Sequence, residues 1–186
     1  MIDTILDKIR KLSEDKPFLL VAIDGRCCAG KTSLAKELQK RIPCNIIHMD
    51  NFFLRPEQRT EKRLMLPGEN VDHERFLQEV LLPLSQNEEF SFRPYDCKKQ
   101  TLANPITVSP KPLTIIEGSY SCHNLLRQYY DLKIFLDTDS ATQLLRITAR
   151  NGDGALCIFR DKWIPLEEAY FDAFSVRKLC DLYFKN

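Results

Sequence analysis

The segment that decides the fold reads Gly25-Arg26-Cys27-Cys28-Ala29-Gly30-Lys31-Thr32. It fills every fixed position of the phosphate-binding pattern G-x-x-x-x-G-K-[ST]. In this pattern the glycines let the backbone turn, so that successive N–H groups point at phosphate oxygens. The ammonium of Lys31 then reaches the β- and γ-phosphates, and the hydroxyl of Thr32 can bind Mg²⁺. The segment, extended by Ser33, therefore predicts a binding site for a nucleoside triphosphate.

The flanks of this segment have the structure that the pattern requires. Residues 18–23 form a continuous apolar run, FLLVAI, which is typical of a buried parallel strand. Residues 33–42 repeat apolar side chains at helical spacing, and Pro43 ends that helix. The positive end of the helix dipole would face the phosphates. The alternative is a glycine-containing turn that binds nothing, and the strand–loop–helix context makes it the weaker interpretation.

The composition indicates a small enzyme, and its charge balance does not suggest nucleic acid or a membrane surface as a partner. The chain has 186 residues, with 27 Lys and Arg against 26 Asp and Glu. This balance gives no electrostatic reason to expect nucleic acid or a membrane surface as a partner. The length predicts one domain over residues 1–186.

Cysteine usage and the N-terminus predict a cytoplasmic protein. The seven cysteines contain no C-x-x-C pair, so reduced thiols of the cytosol are expected rather than disulfides or a zinc site. Residues 2–12 form a short amphipathic helix rather than the apolar core of a signal peptide. No apolar run approaches the ~18 residues that a membrane span needs.

The rest of the chain alternates between strand and helix patterns. Helices are expected from Asp72, as an N-cap, to about residue 81, from 140 to 150, and in segments up to about 174. Residues 90–95 and 102–108 predict a small β-hairpin. The sequence therefore predicts an α/β fold, in which a parallel sheet of about five strands has helices on both faces. The strands of that sheet are expected at 18–23, 45–49, 113–116, 132–136 and 179–184.

Two carboxylates follow directly after predicted strands. Asp50 ends the second strand and Glu117 ends the third. Because ligands of parallel sheets bind beyond the carboxyl ends of the strands, both should lie near Lys31 and Thr32. A carboxylate there can hold Mg²⁺ or act as a general base. The alternative for each is an ordinary turn residue or helix cap.

Six segments in this order resemble the uridine kinase-like branch of the P-loop kinases, which includes uridine–cytidine kinase. The resemblance extends over most of the chain and implies the fold of a P-loop NTPase and a single P-loop kinase domain. The segments are DGRCCAGKT (24–32), MDNFF (49–53), VDHERF (71–76), RPYD (93–96), IIEG (115–118) and FLDTD (135–139).

The resemblance implies ATP and Mg²⁺ as cofactors and a nucleoside-like small molecule as substrate. In that family, the aspartate matching Asp50 activates the acceptor hydroxyl, and positions matching Thr32, Asp50 and Glu117 surround Mg²⁺. The aspartate matching Asp72 holds the ribose hydroxyls, and the tyrosine matching Tyr95 lies against the base.

Further residues complete the predicted site. The expected catalytic residues are Lys31, Asp50 and Arg150. Arg150 is included because arginines near its position reach the transferring phosphoryl group in the family. Arg160 is a second candidate for the lid that closes over phosphate, and Phe53 is a candidate wall of the acceptor pocket.

Three expectations concern side chains whose partners the sequence does not show. We expect Lys31 to face solvent at the mouth of the loop. His48 and His123 are expected to be structural. Cys27 and Cys28 are expected to fill the loop, with a reactive thiol at the helix N-terminus as the alternative.

The identity of the acceptor and the oligomeric state, including a homo-oligomer, stay open. Nucleoside kinases carry a base-contacting histidine where this chain has Gln100, so a non-nucleoside acceptor such as pantothenate or a sugar is an alternative. A regulatory ATPase or switch without an acceptor is a second one. A GTPase is disfavoured, because the chain contains neither D-x-x-G nor N-K-x-D.

Overall fold

The computed structural model describes residues 1–186 and contains nine β-strands. They are β1 (Leu19–Gly25), β2 (Asn45–His48), β3 (Phe90–Phe92), β4 (Tyr95–Asp96), β5 (Thr101–Leu102), β6 (Ile106–Val108), β7 (Leu113–Glu117), β8 (Leu132–Asp137) and β9 (Leu182–Lys185). Five of them form one parallel sheet in the order β2-β7-β1-β8-β9. The predicted α/β fold with a five-stranded parallel sheet is confirmed.

Nine α-helical segments surround the strands. They are α1 (Ile2–Ser13), α2 (Lys31–Arg41), α3 (Glu61–Leu64), α4 (His73–Phe76), α5 (Leu82–Ser85), α6 (Ser140–Asn151), α7 (Asp153–Ile158), α8 (Ile164–Ala173) and α9 (Val176–Leu179). Single π-helical segments join α4 to α5 (Leu77–Leu81) and α7 to α8 (Phe159–Trp163). Asp72 caps α4 as expected, since its side chain accepts a hydrogen bond from the backbone N–H of Arg75. None of these helices combines the length and the apolar character needed to cross a lipid bilayer.

Helices cover both faces of the sheet because the central strands are apolar on both sides. Along β1, Val21 and Ile23 pack with α1 and α2, whereas Leu20 and Ala22 belong to the cluster on the opposite face. Successive residues of a strand point to opposite faces, so a run without polar interruption buries both. The opposite face is built around the largest side chains, including Phe52, Phe76, Phe135, Tyr170 and Phe171.

The small β-hairpin predicted at residues 90–95 and 102–108 forms, but its pairing is interrupted. Strands β3 and β6 pair antiparallel, and beyond them β4 pairs with β5. Pro94, which has no N–H to give to a ladder, lies at the interruption. The last strand begins three residues later than predicted, because Val176–Leu179 form α9 before the chain extends.

Candidate active site

The phosphate-binding segment forms a tight loop between β1 and α2. Gly25 has φ +131° and Gly30 has φ +99°. A Cβ at Gly25 would lie 1.9 Å from the carbonyl oxygen of Leu136 on β8, so only glycine fits there. Cys27 and Cys28 are partly buried, and burial raises the pKa of Cys27 to about 12. This favours loop filling over a reactive thiolate.

Lys31 is buried rather than solvent-facing, so that expectation was wrong. Its Nζ donates hydrogen bonds to the carbonyl oxygens of Gly25 (2.6 Å) and Arg26 (2.8 Å) and to Oγ of Ser119 (3.2 Å). The side chain folds back over its own loop and is 8% exposed. The carbonyl dipoles thus hold the ammonium at the loop mouth.

Thr32 and Glu117 lie in contact at the carboxyl edge of the sheet. Oγ1 of Thr32 is 3.0 Å from Oε1 and 3.1 Å from Oε2 of Glu117, which is 4% exposed. A hydroxyl and a carboxylate are oxygen ligands of the kind that Mg²⁺ prefers, so the donor set fits that ion.

His48 is a member of the site that the sequence did not reveal. Its Nδ1 lies 2.5 Å from Oε1 of Glu117, and this hydrogen bond raises the pKa of His48. Its position at the carboxyl end of β2, two residues before Asp50, was the available signal.

Asp50 lies in the turn directly after β2 and faces the same cleft. The surrounding protein raises the pKa of its carboxyl by reducing its solvation, although the side chain is open to the cleft. The positive charge of Lys31 opposes that rise in pKa, and the charge of Glu117 adds to it. Asp50 is therefore within electrostatic reach of the lysine and the carboxylate predicted to share its site.

Lys31, Thr32, Asp50 and Glu117 line one cleft of about 1280 Å³. That volume exceeds the ~300–1,000 Å³ of most single-ligand pockets, which leaves room for a nucleotide and an acceptor together. The loop and the strand ends form its floor. Phe53, the candidate wall of an acceptor pocket, also lines the cleft, together with Arg59, Asn70, Cys97 and Gln100.

Asp72 and Tyr95 are not brought to the cleft surface. Asp72 is 2% exposed, and its carboxylate lies 3.4 Å from Nε of Arg75 in addition to capping α4. Tyr95 is 5% exposed, and its hydroxyl accepts a hydrogen bond from Nη2 of Arg59 at 2.8 Å. The guanidinium of Arg59 also lies 5.6 Å from the centre of the Tyr95 ring. Arg59, rather than Tyr95, therefore lines the cleft.

The two predicted lid arginines have different surroundings. Arg150 lines the cleft, and its Nε donates to Oδ1 of Asn151 at 2.8 Å. Arg160 points elsewhere: its side chain is 62% exposed and pairs with Asp161 at 2.7 Å. From the same segment, Lys162 lines the cleft instead.

Helix α8 supplies two carboxylates that the sequence reasoning missed. Glu167 accepts hydrogen bonds from the backbone N–H of Cys27 (Oε2, 2.9 Å) and from the Ser119 hydroxyl (Oε1, 2.7 Å). Its neighbour Glu168 accepts from Nε of Arg26 at 2.7 Å. Glu167 lies 140 residues from Cys27 in the chain, and no motif marks it. Burial raises the pKa of the Glu167 carboxyl.

Comparison with known proteins places this geometry in a family. The Phosphoribulokinase / Uridine kinase family matches residues 20–152. A uridine kinase of Ureaplasma urealyticum is 30% identical over 146 residues, which cover 72% of this chain and 69% of that protein. Uridine-cytidine kinase B of Dictyostelium discoideum is 28% identical over 149 residues, which cover 75% of this chain and 60% of that protein.

Solved structures show the same fold along the whole chain. The structure described as a possible uridine kinase from Bacillus stearothermophilus has a TM-score of 0.69 at 19% identity, covering 97% of this chain and 99% of that one. YFH7 from Saccharomyces cerevisiae has a TM-score of 0.73 at 13% identity, covering 100% and 99%. The family match includes the phosphate loop, Asp50 and Glu117, the residues that meet at the cleft floor. The chain therefore belongs to the phosphoribulokinase/uridine kinase family of phosphotransferases.

Proposed function

We propose that this protein is an ATP- and Mg²⁺-dependent kinase that phosphorylates a hydroxyl group of a small molecule, with a nucleoside as the favoured acceptor. The observation that carries the proposal is the meeting of three groups at one cleft floor. These are the lysine of the phosphate loop, the Thr32–Glu117 oxygen pair, and Asp50. Phosphoryl transfer needs positioned charge more than covalent chemistry, and these groups supply it.

Each group has a distinct task in the proposed reaction. Backbone N–H groups of the loop and the ammonium of Lys31 bind the phosphates and neutralise charge. Thr32 and Glu117, with Asp50, would hold Mg²⁺, which supplies further charge neutralisation at the β- and γ-phosphate oxygens. Asp50 accepts the proton of the acceptor hydroxyl while the oxygen of that hydroxyl forms a bond to the γ-phosphorus. The bond between the γ-phosphorus and the β-phosphate oxygen breaks, and ADP leaves.

Support for a nucleoside acceptor comes from the relatives, which are named uridine kinase and uridine-cytidine kinase. The cleft is large enough for two substrates. Asp72 and Tyr95, the residues that would hold a nucleoside, are buried and do not line the cleft. Pantothenate and sugars therefore stay as alternative acceptors.

The test is ATP turnover in the presence of a panel of ribonucleosides, pantothenate and sugars, with Mg²⁺ present and then removed by EDTA. A nucleoside should stimulate turnover, and EDTA should abolish it. Stimulation by pantothenate or a sugar alone would keep the kinase and change its acceptor. Turnover that no acceptor changes would favour a regulatory ATPase instead.

A further inference from the structure

The carboxyl group of Glu167 occupies a hydrogen-bond donor of the phosphate loop. Both carboxylate oxygens of Glu167 are hydrogen-bonded, one to the backbone N–H of Cys27 (2.9 Å) and the other to the hydroxyl of Ser119 (2.7 Å). Glu167 is 5% exposed, yet it borders the cleft in which the nucleotide is proposed to bind. Backbone N–H groups of such loops are donors for phosphate oxygens. A protein carboxylate thus uses a donor of the loop.

The position of Glu167 relative to Lys31 brings it beside the phosphates that the lysine would bind. Nζ of Lys31 is 3.2 Å from Oγ of Ser119, and the same Oγ donates a hydrogen bond to Glu167. One hydroxyl therefore separates the carboxylate from the ammonium, which in this type of loop reaches the β- and γ-phosphates. The Thr32–Glu117 pair marks the metal side of the loop, and Glu167 comes from a different element, α8.

We propose that Glu167 is an internal ligand of the phosphate loop, which competes with the γ-phosphate of a nucleoside triphosphate and so determines how strongly the site prefers triphosphate over diphosphate. This inference rests on the proposed function, because it requires that the cleft binds a nucleotide. A γ-phosphate beside Lys31 brings negative charge close to the buried carboxylate, and like charges repel strongly where solvent is excluded. A diphosphate ends one phosphate earlier and meets less of this repulsion.

The position of Glu167 in the fold gives its displacement a consequence. Helix α8 begins at Ile164, directly after the π-helical segment Phe159–Trp163, which lines the cleft and contains Arg160 of the predicted lid. A triphosphate that displaces the carboxylate from Cys27 and Ser119 therefore releases the base of this lid. A diphosphate leaves the contact in place.

The experiment compares the affinities of a non-hydrolysable ATP analogue and of ADP, each with Mg²⁺, by isothermal titration calorimetry. The variant is Glu167→Gln, which keeps the size of the side chain. Its amide oxygen can still accept from Cys27, and its NH₂ group can donate to the Ser119 hydroxyl. Asp172→Asn is the matched control, because it removes an 80% exposed carboxylate from the same helix.

In Glu167→Gln, the affinity ratio of ATP analogue to ADP should rise by about tenfold or more, and the control should keep the wild-type ratio. A ratio within about twofold of wild type, or an equal fall in both affinities, overturns the inference and leaves Glu167 a structural support of the loop. If the wild-type protein binds neither nucleotide, the proposed function fails, and the inference fails with it.

A second measurement needs no variant. In the amide NMR spectrum of the wild-type protein, the Cys27 resonance should move further with the ATP analogue than with ADP, because only the triphosphate replaces its hydrogen-bond acceptor. Equal displacement by both nucleotides overturns the inference.

Discussion

At the scale of single residues, the ammonium of Lys31 is held in place by the carbonyls of its own loop. Lys31→Ala removes the ammonium that neutralises the phosphates, so we expect phosphoryl transfer to fall by about 10²-fold or more. The variant also leaves the carbonyls of Gly25 and Arg26 without their charged donor, which should cost about 1–3 kcal/mol in the free energy of unfolding. ATP turnover and urea denaturation measure the two effects. Lys40→Ala, 73% exposed on the same helix, is the control, and near wild-type turnover in Lys31→Ala would refute the phosphate-binding role.

Asp50 is the residue on which the proposed chemistry depends. Asp50→Asn keeps the shape of the side chain but cannot accept the hydroxyl proton, so transfer should drop by about 10²-fold while ATP still binds. Turnover at saturating Mg²⁺ and calorimetric ATP affinity separate the two quantities. Asp7→Asn, in which a 72% exposed carboxylate of α1 is changed, should behave as wild type. An Asp50→Asn enzyme with normal turnover would make Asp50 a turn residue only.

How far single residues were predictable depended on how local their role is. The loop glycines, Thr32 and Glu117 follow from patterns within a few residues, and the structure brings Thr32 and Glu117 into contact beside the loop. The contact of Glu167 arises only when distant segments meet, so no local pattern marks it. His48 has a local signal in its position at the carboxyl end of β2, but its partner Glu117 lies 69 residues away in the chain. The burial of Lys31 was missed because its partners are backbone carbonyls, which every sequence contains.

At the scale of elements, the junction of β1 with the phosphate loop depends on Gly25. Gly25→Ala would place a Cβ 1.9 Å from the carbonyl oxygen of Leu136 at a φ of +131°, so we expect a loss of at least about 3 kcal/mol in stability. Gly154→Ala is the matched variant, because it lies within α7 with nothing within 4 Å of the new methyl group. It should gain about 0.5–1 kcal/mol. Thermal denaturation of both variants tests this, and equal melting temperatures would contradict it.

At the scale of the whole molecule, one buried carboxylate is hydrogen-bonded to two distant segments that surround the site. Asp24, fully buried beside the loop, accepts hydrogen bonds from the backbone N–H of Cys122 (2.8 Å) and the hydroxyl of Tyr170 (2.8 Å). It thereby joins β1, the segment after β7 and helix α8. The sequence predicted β1 from its continuous apolar run and helical segments up to about residue 174, but it predicted no element for the segment after β7. It could not predict their joining, since a hydrogen bond across 146 residues leaves no periodic pattern.

His123 reports on the same packing through its titration. It is 1% exposed, its ring stacks on His73 at 4.2 Å, and Phe174 from the end of α8 packs against its edge. Burial, together with the charge of His73, lowers the pKa of His123 to about 3 from an ordinary 6.5. Between these pH values, His123 is therefore protonated in the unfolded chain and neutral in the folded protein.

Stability contributed by the neutral His123 ring is thus complete above pH ~6.5 and is lost as the pH falls towards ~3, at about 1.4 kcal/mol per pH unit within that window. His123→Phe keeps the aromatic contacts and cannot titrate, so its free energy of unfolding should fall less steeply with acid than that of wild type. His48, whose pKa is raised, contributes with the opposite sign in both proteins, so its contribution cancels in the difference between their slopes. Urea denaturation between pH 4 and 7 measures the two slopes. Identical slopes would mean that His123 takes up a proton inside the folded protein, and that its contact with His73 and Phe174 opens in acid.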